Sequence, residues 1–189
     1  MFILLVITTG YVTIMRADET EAERYGYPTE LTEQVSEEKQ YRQNINVEFT
    51  LVNREGKQVT QEDFLGKYIL LTFGYTHCEH ICPTILDDIA RTLKASGDKM
   101  AGIFISVDTE RDTPAKTDDY ASGFSQKIMG LSGSYEEVAA AANNFNVRYS
   151  VTKTQNHYMV QHSSDIFYID PDGHLIQIYT FNSLPHDLK

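Results

Sequence analysis

The stretch YILLTFGYTHCEHICPTIL, residues 68–86, decides the fold. Its first part, Tyr68 to Tyr75, is a continuous apolar run rich in strand-favouring residues, the mark of a strand covered on both faces. Pro83 then sits in the first turn of a helix, where a missing N–H costs nothing, and Ile85, Leu86, Ile89 and Leu93 give that helix an apolar stripe. Between strand and helix lie Cys78 and Cys82. A helix N-terminus stabilises negative charge and so favours thiolate, the nucleophilic and metal-ligating form of cysteine. The spacing of i and i+4 brings both sulfurs to one side of a single turn. There they can close a disulfide or grip one ion.

Working downstream, Met100 to Val107 is a second buried strand, followed by a charged segment, Asp108 to Thr113, and a helix from Pro114. Ser134 and Glu137 fit a capping box, which predicts a helix running through Val138 and the alanines to Phe145. After a loop at Lys153 to His157, Ile166 to Ile169 is a strand, turned by Pro171-Asp172-Gly173 into a hairpin partner at His174 to Thr180. Upstream, Val47 to Val52 alternates apolar and polar residues, then a turn at Asn53 to Lys57 leads to a short strand at Gln58 to Thr60. The order is a β-hairpin, then β-α-β-α, then α-β-β. That predicts an α/β fold of thioredoxin-like type: a mixed sheet flanked by helices, with an N-terminal hairpin extension.

The charge is unevenly spread. The 189-residue chain carries a formal −11, and more than half of it falls between Ala17 and Lys39, where eight acidic residues face only Arg24 and Lys39. No basic stripe is present to neutralise phosphates, which argues against nucleic acid as a partner. Residues 17–44 are poor in apolar side chains and are expected to form an acidic flexible linker. Before them, MFILLVITTGYVTIM is an apolar run followed by Arg16, so residues 1–16 are expected to be a membrane anchor or signal segment, although no positive charge precedes the run. The folded domain is expected over residues 45–189.

Two cysteines in the whole chain are too few for a disulfide scaffold and suggest a working pair, redox-active or metal-binding. A closed four-thiolate zinc site is excluded by the count. Two thiolates with one imidazole suit a soft, low-coordinate ion, for which Cu(I) fits best; Cu(II) would need a further oxygen or nitrogen ligand. His77, His80, His157, His162, His174 and His186 compete for the third position. His174 follows a turn, His186 lies in the tail, and His77 and His80 sit beside the sulfurs with no assurance of pointing at them. His157 and His162 precede the hairpin in what reads as a loop able to reach back over the site. Asp108, Glu110, Arg111 and Asp112 either border that site or form a salt-bridged turn capped by Thr113.

Four blocks together, FGYTHCEHICPTIL (73–86), FISVDTERDTP (104–114), GLSGSYEEVAAAANNFNV (130–147) and HSSDIFYIDPDG (162–173), resemble the Sco/SenC family of thioredoxin-fold copper proteins that assemble the CuA centre of cytochrome c oxidase. The resemblance runs from about Phe49 to Tyr179. The family pattern, a C-x3-C followed far downstream by a histidine ahead of the hairpin, falls on Cys78, Cys82 and His162, and so implies His162 as the third metal ligand. Glu79 and His80 stand where family members commonly have Pro and Asp. The resemblance further implies an N-terminal membrane anchor, an extracytoplasmic location (the bacterial periplasmic side or the mitochondrial intermembrane space), and as partner an oxidase subunit carrying CuA or another copper or thiol protein. Two activities are expected to compete: copper delivery through the three ligands, and thiol–disulfide exchange through Cys78 and Cys82 alone.

Overall fold

The computed structural model describes residues 45–155, 157–185 and 188. The expected anchor, the linker and His186 lie outside them. Among the described residues no helix is long and apolar enough to cross a membrane.

The chain opens with β1 (Thr50–Val52) and β2 (Gln58–Thr60), an antiparallel hairpin, then a 3-10 turn at Gln61–Phe64. Next come β3 (Tyr68–Gly74), α1 (Ile81–Ser96), β4 (Met100–Ser106), α2 (Pro114–Ser122), β5 (Ile128–Leu131) and α3 (Tyr135–Asn144). A second hairpin, β6 (Tyr149–Lys153) and β7 (Tyr158–His162), precedes β8 (Ile166–Ile169) and β9 (Leu175–Tyr179). The main sheet has the order β5-β4-β3-β8-β9, with β3, β4 and β5 parallel and β8 and β9 antiparallel to their neighbours. This is the mixed, helix-covered, thioredoxin-like sheet that the pattern predicts.

Alternation along the buried strands feeds two layers, as the two-residue period of a strand requires. Ile69, Leu71, Phe73, Ile103, Ile105 and Phe167 face a core closed by Val138, Ala141, Ala142 and Phe145. Leu70, Phe104, Ile166 and Tyr168 face the opposite core, closed by Ile85, Leu86, Ile89 and Leu93 of α1. Each of those four helix side chains is at most 1% exposed, and each contributes about 2 kcal/mol of hydrophobic burial. Phe145 lies 5.6 Å from Phe73 and 5.0 Å from Phe167, ring centroid to centroid, and anchors the end of α3 to the sheet. The capping box forms as expected: the Ser134 hydroxyl accepts from Glu137 N–H at 3.2 Å, and the Glu137 carboxylate accepts from Ser134 N–H at 2.8 Å.

Three local expectations are corrected. The first strand begins at Thr50 rather than Val47, because the preceding backbone is occupied elsewhere: Phe49 N–H donates to the Gln61 side chain and Glu48 C=O accepts from Asn144. The short β5, with Met129 and Gly130 in its four residues, carries too weak a pattern to be seen. The supposed loop at Lys153 to His157 is the turn of the β6–β7 hairpin, so His162 ends a strand instead of riding on a long loop. β6 is mostly polar and β7 runs Tyr-Met-Val-Gln-His with no apolar–polar alternation, which hid them.

Gly130 marks the tightest approach of β5 to α2. A Cβ there would stand 2.4 Å from Thr117 O and 2.5 Å from Asp118 N, both backbone atoms. Gly130→Ala should lower the unfolding free energy by about 2–3 kcal/mol, the cost of forced overpacking, as read by urea denaturation.

Candidate metal and thiol site

Strand β3 delivers the chain to the site and then stops. Gly74 is its last residue, and a Cβ there would stand 2.8 Å from Cys82 Sγ and 2.7 Å from Phe104 Cε2. Only a bare backbone leaves room for the sulfur. The chain then turns, with Cys78 N–H donating to Tyr75 C=O at 3.2 Å, and enters α1 with His80 at the N-cap. Cys82 is the second residue of the helix, and its N–H donates to Cys78 Sγ at 3.4 Å. An orphan donor of the helix start is thereby spent on a sulfur.

The two thiols are unlike. Cys82 is 2% exposed, and burial pushes its pKa up. Cys78 is partly exposed; burial opposes its ionisation too, but the N–H groups of Cys82, His80 and Ile81 and the Cys82 thiol outweigh it and hold the pKa below the usual thiol value. Tyr75, whose own pKa is raised to about 12 by burial and then by negative charge on Cys78, lies edge-on to the His162 ring with centroids 5.8 Å apart.

His162 comes from the far side. Its Nδ1 is 2.7 Å from Ser163 C=O, an acceptor, so Nδ1 carries the proton and the lone pair belongs to Nε2. Nε2 lies 3.4 Å from Cys82 Sγ. Burial pulls the His162 pKa down, which keeps the ring neutral and its lone pair free. The ligand atoms of Cys78, Cys82 and His162 all lie within 4.8 Å of one another. Two thiols and a neutral imidazole form a donor set for a soft cation.

The remaining histidines are elsewhere. His77 turns toward Asp112, 3.6 Å away, and Lys116; His80 is exposed at the N-cap; His157 is exposed in the hairpin turn; His174 is exposed beside Asp170. Sequence reasoning left the segment 108–112 open between two roles, and it has both. Thr113 caps α2 and Arg111 pairs with Asp108, but Asp112 also carries the cysteine loop. Its carboxylate accepts from Thr76 N–H at 2.7 Å, Thr76 Oγ1 at 2.6 Å and Ser106 Oγ at 2.7 Å. Burial would raise the Asp112 pKa, yet those three bonds and Lys116 hold it below the ordinary carboxylate range. Gly74, Thr76 and Asp112 are thus supports that no sequence motif announced. The signal was the position of Asp112, in the turn leaving a strand that runs parallel to β3.

A thioredoxin-like domain with two cysteines and a histidine converging at a helix start defines a class of thiol and metal-handling proteins. The comparisons narrow it. The SCO1/SenC family model matches residues 37–188, and the chain belongs to that family. It is 37% identical over 148 residues to protein sco1 of Schizosaccharomyces pombe, covering 74% of this chain and 56% of that protein. It is 36% identical over 145 residues to the mitochondrial SCO1 homolog 1 of Arabidopsis thaliana, covering 74% and 42%. The chain thus spans about half the length of these relatives. Among solved structures, Bradyrhizobium japonicum ScoI with copper bound superposes with a TM-score of 0.68 at 37% identity, covering 76% of this chain and 93% of that one. BsSco, described as a disulfide-switch member of the Sco family of cytochrome c oxidase assembly proteins, superposes with a TM-score of 0.59 at 29% identity, covering 76% and 88%.

The unlike thiols give a direct expectation. At pH 7 Cys78 carries more thiolate than an ordinary cysteine, and its alkylation rate falls only as pH drops through its lowered midpoint. Iodoacetamide should label Cys78 about 10-fold or more faster than Cys82 in the folded, reduced protein, and the two should converge in denaturant, as read by peptide mass spectrometry. Asp112 gives a second expectation. A depressed carboxyl pKa contributes stability that is present above the unfolded value of about 4 and is lost as pH falls through the folded value. Asp112→Asn should therefore cost about 2 kcal/mol at pH 7 and progressively less below pH ~4, measured by urea unfolding across pH.

Proposed function

We propose that this protein is a copper chaperone in which Cys78, Cys82 and His162 take up one copper ion for assembly of the CuA site of cytochrome c oxidase. The observation that carries this reading is the convergence of two sulfurs and a proton-free imidazole nitrogen within 4.8 Å. That donor set fits copper: it is soft, has three members, and is partly shielded from water, which favours Cu(I) over Cu(II). Membership of a family with copper-bound members supports it. Binding requires both sulfurs as thiolates, so uptake releases the proton that burial holds on Cys82. The partner in this reading is the oxidase subunit carrying CuA or another copper or thiol protein, met on the extracytoplasmic side of a membrane to which residues 1–16 tether the domain. The apolar run at Met1 to Met15 and the mitochondrial relative support that location.

A second reading rests on the unequal thiols. A partly exposed sulfur with a lowered pKa beside a buried one with a raised pKa suits attack and resolution in turn. The Cys78 thiolate would attack a partner disulfide and release one partner thiolate; Cys82 would then displace the second. Cys78 and Cys82 end as a disulfide and the partner as a dithiol, with two electrons passed. His162 is not needed for this exchange.

Anaerobic titration of the reduced protein with Cu(I) against a competing chelator separates the two. One equivalent should bind, and Cys78→Ala, Cys82→Ala and His162→Ala should each weaken binding by about 100-fold or more, beyond the cost of losing a supporting partner. A wild-type protein that takes up no copper would sink the chaperone reading. A His162→Ala protein that loses copper but keeps full disulfide reductase activity would show exchange chemistry standing on its own.

A further inference from the structure

The hairpin β6–β7 pairs with no other strand among the described residues, yet it carries His162 at its end. A two-stranded ribbon alone is marginal in water, so something must fix its angle to the domain. Along β7 the side chains alternate. Tyr158, Val160 and His162 share the inward face, and Met159 and Gln161 are exposed. Val160 is 7% exposed and packs in the core; Ser163 N–H donates to Arg148 C=O at 2.9 Å. Val160 ties the middle of the strand to the core, and the Ser163–Arg148 bond closes the ladder between the two strands at the His162 end of the hairpin.

Its far end is held differently. Tyr158 Oη donates to Asp108 Oδ1 at 2.6 Å, and the Asp108 side chain has no exposed surface. Asp108 Oδ2 accepts from Arg111 Nε at 2.5 Å, and the Arg111 guanidinium lies 3.8 Å from the centroid of the Tyr158 ring. The phenol is therefore gripped at its hydroxyl and across its face. Lys153, opposite Tyr158 in the ladder, adds an exposed pair with Glu110 at 2.7 Å. Tyr158 and His162 are separated by roughly 13 Å along one stiff strand, at ~3.3 Å per residue. Pinning one end of that strand sets the aim of the other. Four residues beyond Asp108, Asp112 clamps Thr76 in the cysteine loop, so one short segment touches both halves of the site.

We propose that Tyr158 is a positioning residue for metal capture: its bond to the buried Asp108 fixes the β6–β7 hairpin so that His162 Nε2 faces the Cys82 sulfur. This rests on the copper reading given above. It assigns to Tyr158, Asp108 and Arg111 a role distinct from ligation, since none of them belongs to the three-ligand cluster.

The test is a double-mutant cycle in the full chain. Tyr158→Phe keeps the ring and removes only the hydroxyl; Asp108→Asn weakens the same bond from its other side. Each should lower Cu(I) affinity about 10-fold, within the range for supporting partners of a metal ligand, while leaving the Cys78 alkylation rate unchanged. In a His162→Ala background the same substitutions should cost nothing further, because the effect travels through His162. A Tyr158→Phe protein that binds copper like the wild type would overturn the proposal, and so would an equal loss in both backgrounds. A readout without metal keeps this separate from the chaperone reading: the ring resonances of His162 in the reduced, metal-free protein should shift on Tyr158→Phe. If the wild type binds no copper, the chaperone reading fails alone when those resonances move; resonances that stay put overturn the positioning role.

Discussion

A carboxylate with no exposed surface, that of Asp112, holds the working end of this molecule together. An unpaired charge buried there would cost several kcal/mol, and the surrounding structure is arranged to avoid that cost. Thr76 gives it a backbone N–H and a hydroxyl, and Ser106 gives it a second hydroxyl. Its own backbone C=O accepts from Ser132 Oγ at 2.9 Å, which brings in the segment that follows β5. One residue thus joins the cysteine loop, the end of β4 and the entrance to α3. Without it, the loop between β3 and α1 would keep its internal Cys78–Tyr75 and Cys82–Cys78 bonds but lose its tie to the end of β4.

With the loop fixed, the asymmetry of the thiols follows from depth and from the donors each sulfur meets. Cys82 enters the first turn of α1, whose apolar stripe pulls it against the end of the central strand β3, and Gly74 leaves a space that a methyl group would fill. Cys78, four residues earlier, stays at the surface and collects N–H donors from the helix start. Both thiols feel burial, and only one receives enough hydrogen bonds to overcome it. The same depth acts on His162, where desolvation favours the neutral ring and the Ser163 carbonyl selects its tautomer. Packing thus leaves a proton-free Nε2 on His162 and a thiolate-prone Cys78, while Cys82 keeps a proton that a bound cation would displace.

Most of the sheet was legible because its central strands are covered on both faces. Such strands read as unbroken apolar runs, and β3, β4 and β8 fall where those runs predict. The capping box at Ser134 was legible for the opposite reason, a local pattern that needs no tertiary context. What escaped were elements whose structure is set by neighbours. β5 is four residues long, tucked against α2 at a glycine, and the β6–β7 hairpin exposes most of its side chains. The cysteine pair could be read from spacing and helix position. His162 could not: among six histidines only the family resemblance pointed to it, because the strand that aims it is silent in apolar–polar alternation.

That silence has a physical counterpart. Cys78 and Cys82 are fixed to a helix and to a loop clamped by a buried carboxylate, whereas His162 belongs to a ribbon outside the main sheet, tied down by Val160 at its middle and Tyr158 at its far end. A metal held permanently is best served by ligands that all sit on the most rigid elements available. A carrier must hold its cargo and also surrender it, and the two demands conflict when every ligand is equally fixed. If this chain is such a carrier, placing two candidate ligands on the rigid side and one on a separately tethered ribbon would resolve the conflict. On the copper reading, the sulfurs would keep the ion in place while the His162 bond is exchanged for a ligand from the acceptor. The strength of the tether then becomes a setting, adjustable at Tyr158, Asp108 and Arg111 without touching any atom that would bind the metal.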